Sequence, residues 1–413
     1  MRISGVDALE LVRTYGTPLT VVNVDAIDAA IAALHVACDR YKTEIAYAAK
    51  AFFCVELARH LTGHSGLALD VCSLGELVTA ERGGFPANRI TLHGAGKSDD
   101  ELRAALERRV GRIVVDSAAE LDRLAELRSG DARLDVMLRL NTGIEAHTHA
   151  FVRTGGDDTK FGIAQNDEPA AAAALLAHPW MRFAGLHAHV GSQIYDVAPF
   201  VANSHALVEA AARFASHGLV AERIVIGGGF GVQMRPNAGG EKLDMVATIA
   251  DVARCVRECA ADLGMPPPNV GIEPGRAIVA AAGTTLYRVL AVKRQHSRTF
   301  AIVDGGMYEN PRPAIYGAHH HVVAVTGHSS ERVEMTLCGR TCENDELGAA
   351  VLPKNLAAGD VLAMLATGAY TFGMAGNYNR LPRPAVVAVH AGEHRLWVRR
   401  ETVDDVLARD TGA

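Results

Sequence analysis

The stretch EIAYAAKAFF, residues 44–53, sets Lys50 among Ile45, Ala46, Tyr47, Ala48, Ala49, Ala51, Phe52 and Phe53. A lysine in such a run is expected to be buried. Burying an ammonium without a partner is costly, so the charge should be neutralised or put to use. Three further stretches carry groups that suit a common purpose. The run IVIGGGFG (224–231) contains Gly227, Gly228 and Gly229 in succession. Glycines let the backbone approach an anion closely, and their N–H groups can cradle a phosphate. GIEPGRAIV (271–279) supplies Glu273, Gly275 and Arg276, and HAHVGSQ (187–193) supplies His189 and Ser192. An amine, a phosphate cradle, a carboxylate and an imidazole would form one reactive site if the fold brought them together.

The elements that must position these groups alternate regularly. Short apolar runs begin near residues 44, 67, 89, 112, 135, 182, 223 and 270, and most are followed by helical stretches such as SLGELVTAERGG and SAAELDRLAELR. Strand–helix alternation implies parallel strands, and eight such units imply a closed (β/α)8 barrel of the TIM type. The competing doubly wound sheet would carry its glycine fingerprint after the first strand, whereas here the glycines follow the seventh. The active site of such a barrel lies at the C-terminal strand ends, and its phosphate site is usually built by the loops after strands 7 and 8. The strand ends carry Lys50, Asp70, His93, Asp116, Arg139, Asn141, His189, Gly229, Glu273 and Arg276.

From residue 284 the rhythm changes to Val-, Leu- and Thr-rich runs broken by Gly, Pro and Ser. This predicts an all-β second domain. The early run TPLTVVNV (17–24) is expected to join it, which gives a barrel over 25–280 and a β-rich domain from 1–24 and 281–413. The tail ETVDDVLARD reads as a short capped helix.

Set in a barrel mouth, the four groups fit pyridoxal 5′-phosphate. Lys50 would hold the aldehyde as a Schiff base, Glu273 would keep the pyridine nitrogen protonated, and His189 would stack on the ring. Composition agrees with a soluble enzyme. The chain has 413 residues, 49% hydrophobic and 21% charged, with net charge −6. That charge, spread along the chain, argues against nucleic acid or an anionic membrane as partner. The start MRISGVDALELVRTYG has no apolar h-region, so no secretory signal is expected. Seven scattered cysteines suit a reducing cytoplasm, and none has zinc spacing, so no metal is expected. Cys72 reads as core. HGAGKS (93–98) fails as a P-loop because Thr91 stands where its first glycine is required. Three consecutive histidines, 319–321, alternate faces on a strand and cannot all converge on a metal.

The ordered set of motifs resembles the fold-type III pyridoxal-phosphate decarboxylases, which have the alanine racemase-like fold. YGTPLTVVNVDAI, YAAKA, LDVCSLGEL, TKFGI, HAHVGSQ, GGGFG, EPGR, DGGMYENPRPAIYGA, CEND, TGAYTFGM and NYNRLPRP carry the likeness. The resemblance implies that Lys50 is the Schiff-base lysine, that His189 stacks on the ring, and that Ser192, Gly228, Gly229 and Gly275 hold the phosphate. It implies that Arg276, Arg312 and Tyr316 contact a distal substrate carboxylate, with Tyr370 over phosphate and substrate. It makes Cys342 a proton donor and Glu343 a reader of the distal amine, both supplied across a homodimer interface. The implied reaction is decarboxylation of meso-2,6-diaminopimelate to L-lysine. His147 and His149 in EAHTH would lie in a loop over the site.

Two departures bear on substrate. Asn344 stands where the family usually has serine, and HGAGKS replaces HGNNKS. A paralogous decarboxylase acting on another or a carrier-bound amino acid therefore stays open, as do a racemase and a non-catalytic homologue.

Overall fold

The computed structural model describes all residues except 129, 131, 145–158, 235–242, 328 and 413. It divides into two compact units: residues 32–232 with 241–275, and residues 1–31, 233–240 and 276–413. A two-stranded N-terminal hairpin, β1 (Arg2–Ile3) with β2 (Val6–Asp7), precedes β3 (Leu19–Asn23).

The first unit is a closed parallel barrel. Its strands are β4 (Glu44–Ala48), β5 (Leu67–Val71), β6 (Ile90–Leu92), β7 (Arg112–Val115), β8 (Leu134–Arg139), β9 (Met181–His187), β10 (Arg223–Val225) and β11 (Asn269–Ile272). They pair in chain order, and β11 closes on β4 through Ile272 opposite Ile45. All eight expected strands are present. Most of their residues are buried, the pattern of strands covered on both faces. Serines cap two of the helices between them. Ser73 caps Leu74–Arg82, and Ser98 with Glu101 forms a capping box on Asp99–Arg108.

Val114, Met137, Ala184 and Val225 pack together as a buried cluster, one from each of β7 to β10. At the N-terminal strand ends Glu44 takes Arg112 at 3.0 Å and Arg223 at 2.9 Å. That charge cluster closes the end opposite the chemistry, where residues serve stability.

The second unit is a mostly antiparallel sheet. Its strands are β3 with β12 (Gly283–Gln295), β13 (Arg298–Val303), β14 (Val322–Ala324), β15 (Arg332–Cys338), β16 (Glu346–Pro353), β17 (Val361–Leu365), β18 (Ala385–His390) and β19 (Glu393–Val398). The early run joins it as expected: β3 lies between β12 and β18. The tail forms the helix Val403–Leu407, capped reciprocally by Thr402 and Asp405. The strand β16 was not legible. Its sequence ELGAAVLP is rich in alanine and glycine, poor strand formers, and pairing along β15 imposes its conformation. The three histidines also fall before β14 rather than within it. His320 is buried and its Nδ1 donates to the Leu365 carbonyl at 3.1 Å. No helix among the described residues is long and apolar enough to cross a membrane.

Candidate active site

Lys50 sits directly beyond β4 in the 3₁₀ turn Ala49–Ala51, and there the expectation of burial fails. Ala49 and Ala51 are buried while Lys50 is exposed. The tight turn seats the two alanines inward and projects the ammonium outward, so apolar neighbours in sequence are not its neighbours in space. The amine acts electrostatically on Asp70 and His189, which places it at the same strand ends. Cys72, read as core, is exposed, with its N–H on Glu76.

Glu273, one residue past β11, is the centre of a buried polar group. His187 Nε2 donates to Oε2 at 3.0 Å, and His93 Nε2 lies 3.3 Å from Oε1 and 3.5 Å from Asp70. Burial opposes the charge on Glu273, but His187 and His93 outweigh it and hold the carboxyl well below the usual range. Burial also opposes charge on His93, yet Glu273 and Asp70 push it up to about 9. Burial drives His187 down to about 4, so it is a neutral donor. Burial, then the charge on Glu273, raises Asp70 to about 6. Sequence reasoning missed His187. The signal was there: His187 and His189 are two apart at a strand end and so share a face.

The glycine segment packs with no room for side chains. A Cβ on Gly227 (φ 75°) would meet His189 Nδ1 at 2.5 Å, and one on Gly229 (φ 94°) would meet the Gly191 carbonyl at 2.1 Å. The Gly228 N–H donates to His189 Nδ1 at 3.2 Å. That amide, expected to face phosphate, instead fixes the imidazole with its proton on Nε2. Burial and then Lys50 hold His189 well below its ordinary pKa, so the ring is neutral. Ser192 is half-buried in the same loop, and Gly275 packs against Ala48 and Ala51. Arg139 lies 3.9 Å from Asp116 and covers the Phe161 ring, while Asp116 accepts from the Gly162 N–H. Asn141 turns its side chain onto the Gly143 N–H.

The HGAGKS segment serves a different end. Lys97 is 3% exposed and donates to Glu120 at 2.6 Å, to the Val114 carbonyl at 2.6 Å and to the Gly94 carbonyl at 2.9 Å. Burial works against both charges, and each holds the other ionised. Lys97→Met is expected to cost about 3–5 kcal/mol, because it strands a buried carboxylate. Lys97→Met with Glu120→Leu should recover most of that loss in urea unfolding.

In the second unit Arg276 and Arg312 are both buried and lie over the Tyr370 ring, at 4.7 and 5.6 Å from its centre. Arg312 also lies 5.2 Å over Tyr316. Tyr370 has φ 59°, a left-handed conformation uncommon for an aromatic residue and characteristic of functional positions. Cys342, Glu343 and Asn344 are exposed. The Cys342 N–H donates to Asn379 at 2.9 Å, and Tyr378 donates to Glu343 at 2.6 Å. Asp345 anchors their loop by accepting from Thr341 and from the Met307 N–H, both at 2.7 Å. His147 and His149 lie outside the described residues.

An outward amine at a strand end, an ionised carboxylate, a neutral imidazole and a side-chain-free glycine segment are a donor set that fits pyridoxal 5′-phosphate. The comparisons agree. Residues 24–280 match the family described as pyridoxal-dependent decarboxylase, pyridoxal binding domain. The chain is 43% identical to a diaminopimelate decarboxylase of Actinosynnema pretiosum subsp. auranticum, over 99% of this chain and 92% of that one. The chain belongs to the diaminopimelate decarboxylase family. It is 40% identical to the Bacillus subtilis (strain 168) relative of that name, over 99% and 95%. Among solved structures, the Helicobacter pylori diaminopimelate decarboxylase complexed with L-lysine superposes with a TM-score of 0.88 at 29% identity, over 97% and 98% of the two chains. Membership makes this chain a pyridoxal-phosphate-dependent carboxy-lyase.

Proposed function

We propose that this chain removes one carboxylate from meso-2,6-diaminopimelate to give L-lysine and CO2, as a cytoplasmic homodimer with shared sites. Pyridoxal phosphate, when bound, supplies an electron sink for the pair left behind by departing CO2. The chain's own residues do the rest. Lys50 Nζ anchors the cofactor, and the Glu273 carboxylate holds the proton of its ring nitrogen. His189 lies against the ring. Ser192, Gly229, Gly275, Arg276 and Tyr370 would hold the phosphate end, while Gly228 keeps His189 in place. Cys342 Sγ delivers the proton to the α-carbon, and Glu343 and Asn344 bind the distal amine. Arg276, Arg312, Tyr316 and Tyr370 fix the distal carboxylate. Holding both charged ends selects which bond at the α-carbon aligns for cleavage. Exposure of Cys342 and Glu343 supports their service to a second copy of the chain, and seven free thiols support a reducing compartment.

The observation that carries the substrate assignment is Arg312. Its guanidinium is buried, with no carboxylate partner among the described residues and its Nε unbonded. A monoamine tail would leave it so, while a distal carboxylate satisfies it. The test measures CO2 release from meso-diaminopimelate, lysine, ornithine and arginine. Release from diaminopimelate alone, with one lysine formed per CO2, is expected. Release from another of the four, or inversion without CO2, would refute the assignment.

A further inference from the structure

Four titratable groups reach Glu273 or its neighbours from separate strands: His187 from β9, His93 beyond β6, Asp70 on β5 and Arg139 on β8. Lys50 and His189 act on the same cluster from the loops beyond β4 and β9. We propose that His187 and His93 are positioning residues that grip the two oxygens of Glu273, while Asp70 balances His93, leaving one net negative charge for the ring nitrogen of the cofactor. This rests on the reading above that Glu273 partners that nitrogen.

The geometry assigns each member a distinct part. A carboxylate has about four acceptor sites, so two imidazoles leave room for a third donor. Each oxygen of Glu273 faces its own imidazole: His187 hydrogen-bonds Oε2, and His93 Nε2 stands 3.3 Å from Oε1 as a charge, without a hydrogen-bond partner among the described residues. His93 lies between two carboxylates, 3.3 Å from one and 3.5 Å from the other. With His93 charged and both carboxylates ionised, Glu273, Asp70 and His93 together carry a single negative charge, Arg139 being offset by Asp116 at 3.9 Å. Below about pH 6 Asp70 takes up a proton and that charge is cancelled. The ring nitrogen then loses its electrostatic support.

His93, His187 and Glu273 also have metal-ligand spacing. Two features favour the clamp. His187 Nδ1 is buried and has no hydrogen-bond partner among the described residues, whereas a ligating imidazole hands its second nitrogen to an acceptor. The Lys50 ammonium also acts on this cluster and repels a dication.

The test loads the full-length protein with pyridoxal phosphate labelled with ¹⁵N in the ring and follows that nitrogen by NMR from pH 5 to 9. The readout is the pH at which half of the ring nitrogens have lost their proton. Asp70→Asn removes the balancing charge, and His187→Leu removes the donor, so that Glu273 takes up a proton itself. Each is expected to lower the midpoint by about 1 or more. His187→Gln keeps an N–H donor and is expected to restore it. His93→Gln removes the positive member and is expected to keep the midpoint or raise it. Unchanged midpoints in Asp70→Asn and His187→Leu, an equal fall in His187→Gln, or a fall in His93→Gln would each overturn the clamp. Asp70→Asn is isosteric, so the test stands if His187→Leu does not fold. Glu273→Gln separates the two readings. If it lowers the midpoint while the others do not, only the clamp fails. If it too has no effect, the assignment of Glu273 to the ring nitrogen fails.

Discussion

Lys50→Ala is expected to lose decarboxylation by about 10³-fold or more, the scale of removing a group that acts directly on the reacting centre, while the fold survives. Both halves follow from the turn that carries the residue. Ala49 and Ala51 are buried and seat the turn, whereas the Lys50 side chain is exposed. Truncating it removes no packed surface, and substitutions at such positions usually change stability by less than about 0.5 kcal/mol. The role proposed for it is to hold the cofactor covalently. Borohydride treatment of the loaded protein should therefore fix the cofactor to the peptide containing Lys50, and mass spectrometry of Lys50→Ala should find it free. Lys97 is a sharp control. It is the nearby lysine that the HGAGKS motif advertises, but it is buried and engaged with Glu120. Covalent attachment at Lys97, or full activity in Lys50→Ala, would contradict the assignment.

The contrast between these two lysines shows what the sequence could convey. Local pattern was legible wherever one strand suffices to produce it. The eight barrel strands are short, mostly apolar runs, and the change of rhythm after residue 284 marks the β-rich unit. Strand ends then nominated Lys50, Asp70, His93 and Glu273, and the structure brings Asp70, His93 and Glu273 together. What stayed hidden depends on a direction or a distance that no spacing encodes. The outward aim of Lys50 comes from a 3₁₀ turn where an extended strand end was assumed. His187 and Glu273 are 86 residues apart, and only barrel closure makes them partners. Gly228 directs its amide to His189 because φ is positive on either side of it, at Gly227 and Gly229. The strand β16 is set by its neighbour rather than by its own alanines and glycine. The departures from the family pattern separate in the same way. Ala95 and Gly96, the departing residues of HGAGKS, form a turn with Gly96 exposed at φ 70°, while Asn344 is exposed in the Cys342 loop.

Arg312→Met should make a protein that is at least as stable as the parent and much less active. A buried guanidinium beside a second one is an electrostatic liability in the absence of ligand. Burial, and then the charge on Arg276, lowers its pKa to about 10. The Tyr316 and Tyr370 rings offer it only their π faces, worth about 0.5–2 kcal/mol each, and none of the described carboxylates neutralises it. Replacing such a charge with an apolar side chain of similar length removes the desolvation penalty. Thermal unfolding without substrate should therefore give an unchanged or higher Tm. The diaminopimelate carboxylate loses its partner at the same time, and truncating one member of a buried charge pair costs about 2–5 kcal/mol. That corresponds to a fall in kcat/KM of roughly 30- to 5,000-fold. The product L-lysine keeps that distal carboxylate, so its binding should weaken in step, whereas 1,5-diaminopentane lacks it and should bind as before. Arg312→Lys keeps a charge but not the planar fork, and should recover only part of the loss. A variant with lower Tm and unchanged kcat/KM would make Arg312 a structural residue and would withdraw the basis for a substrate with two charged ends.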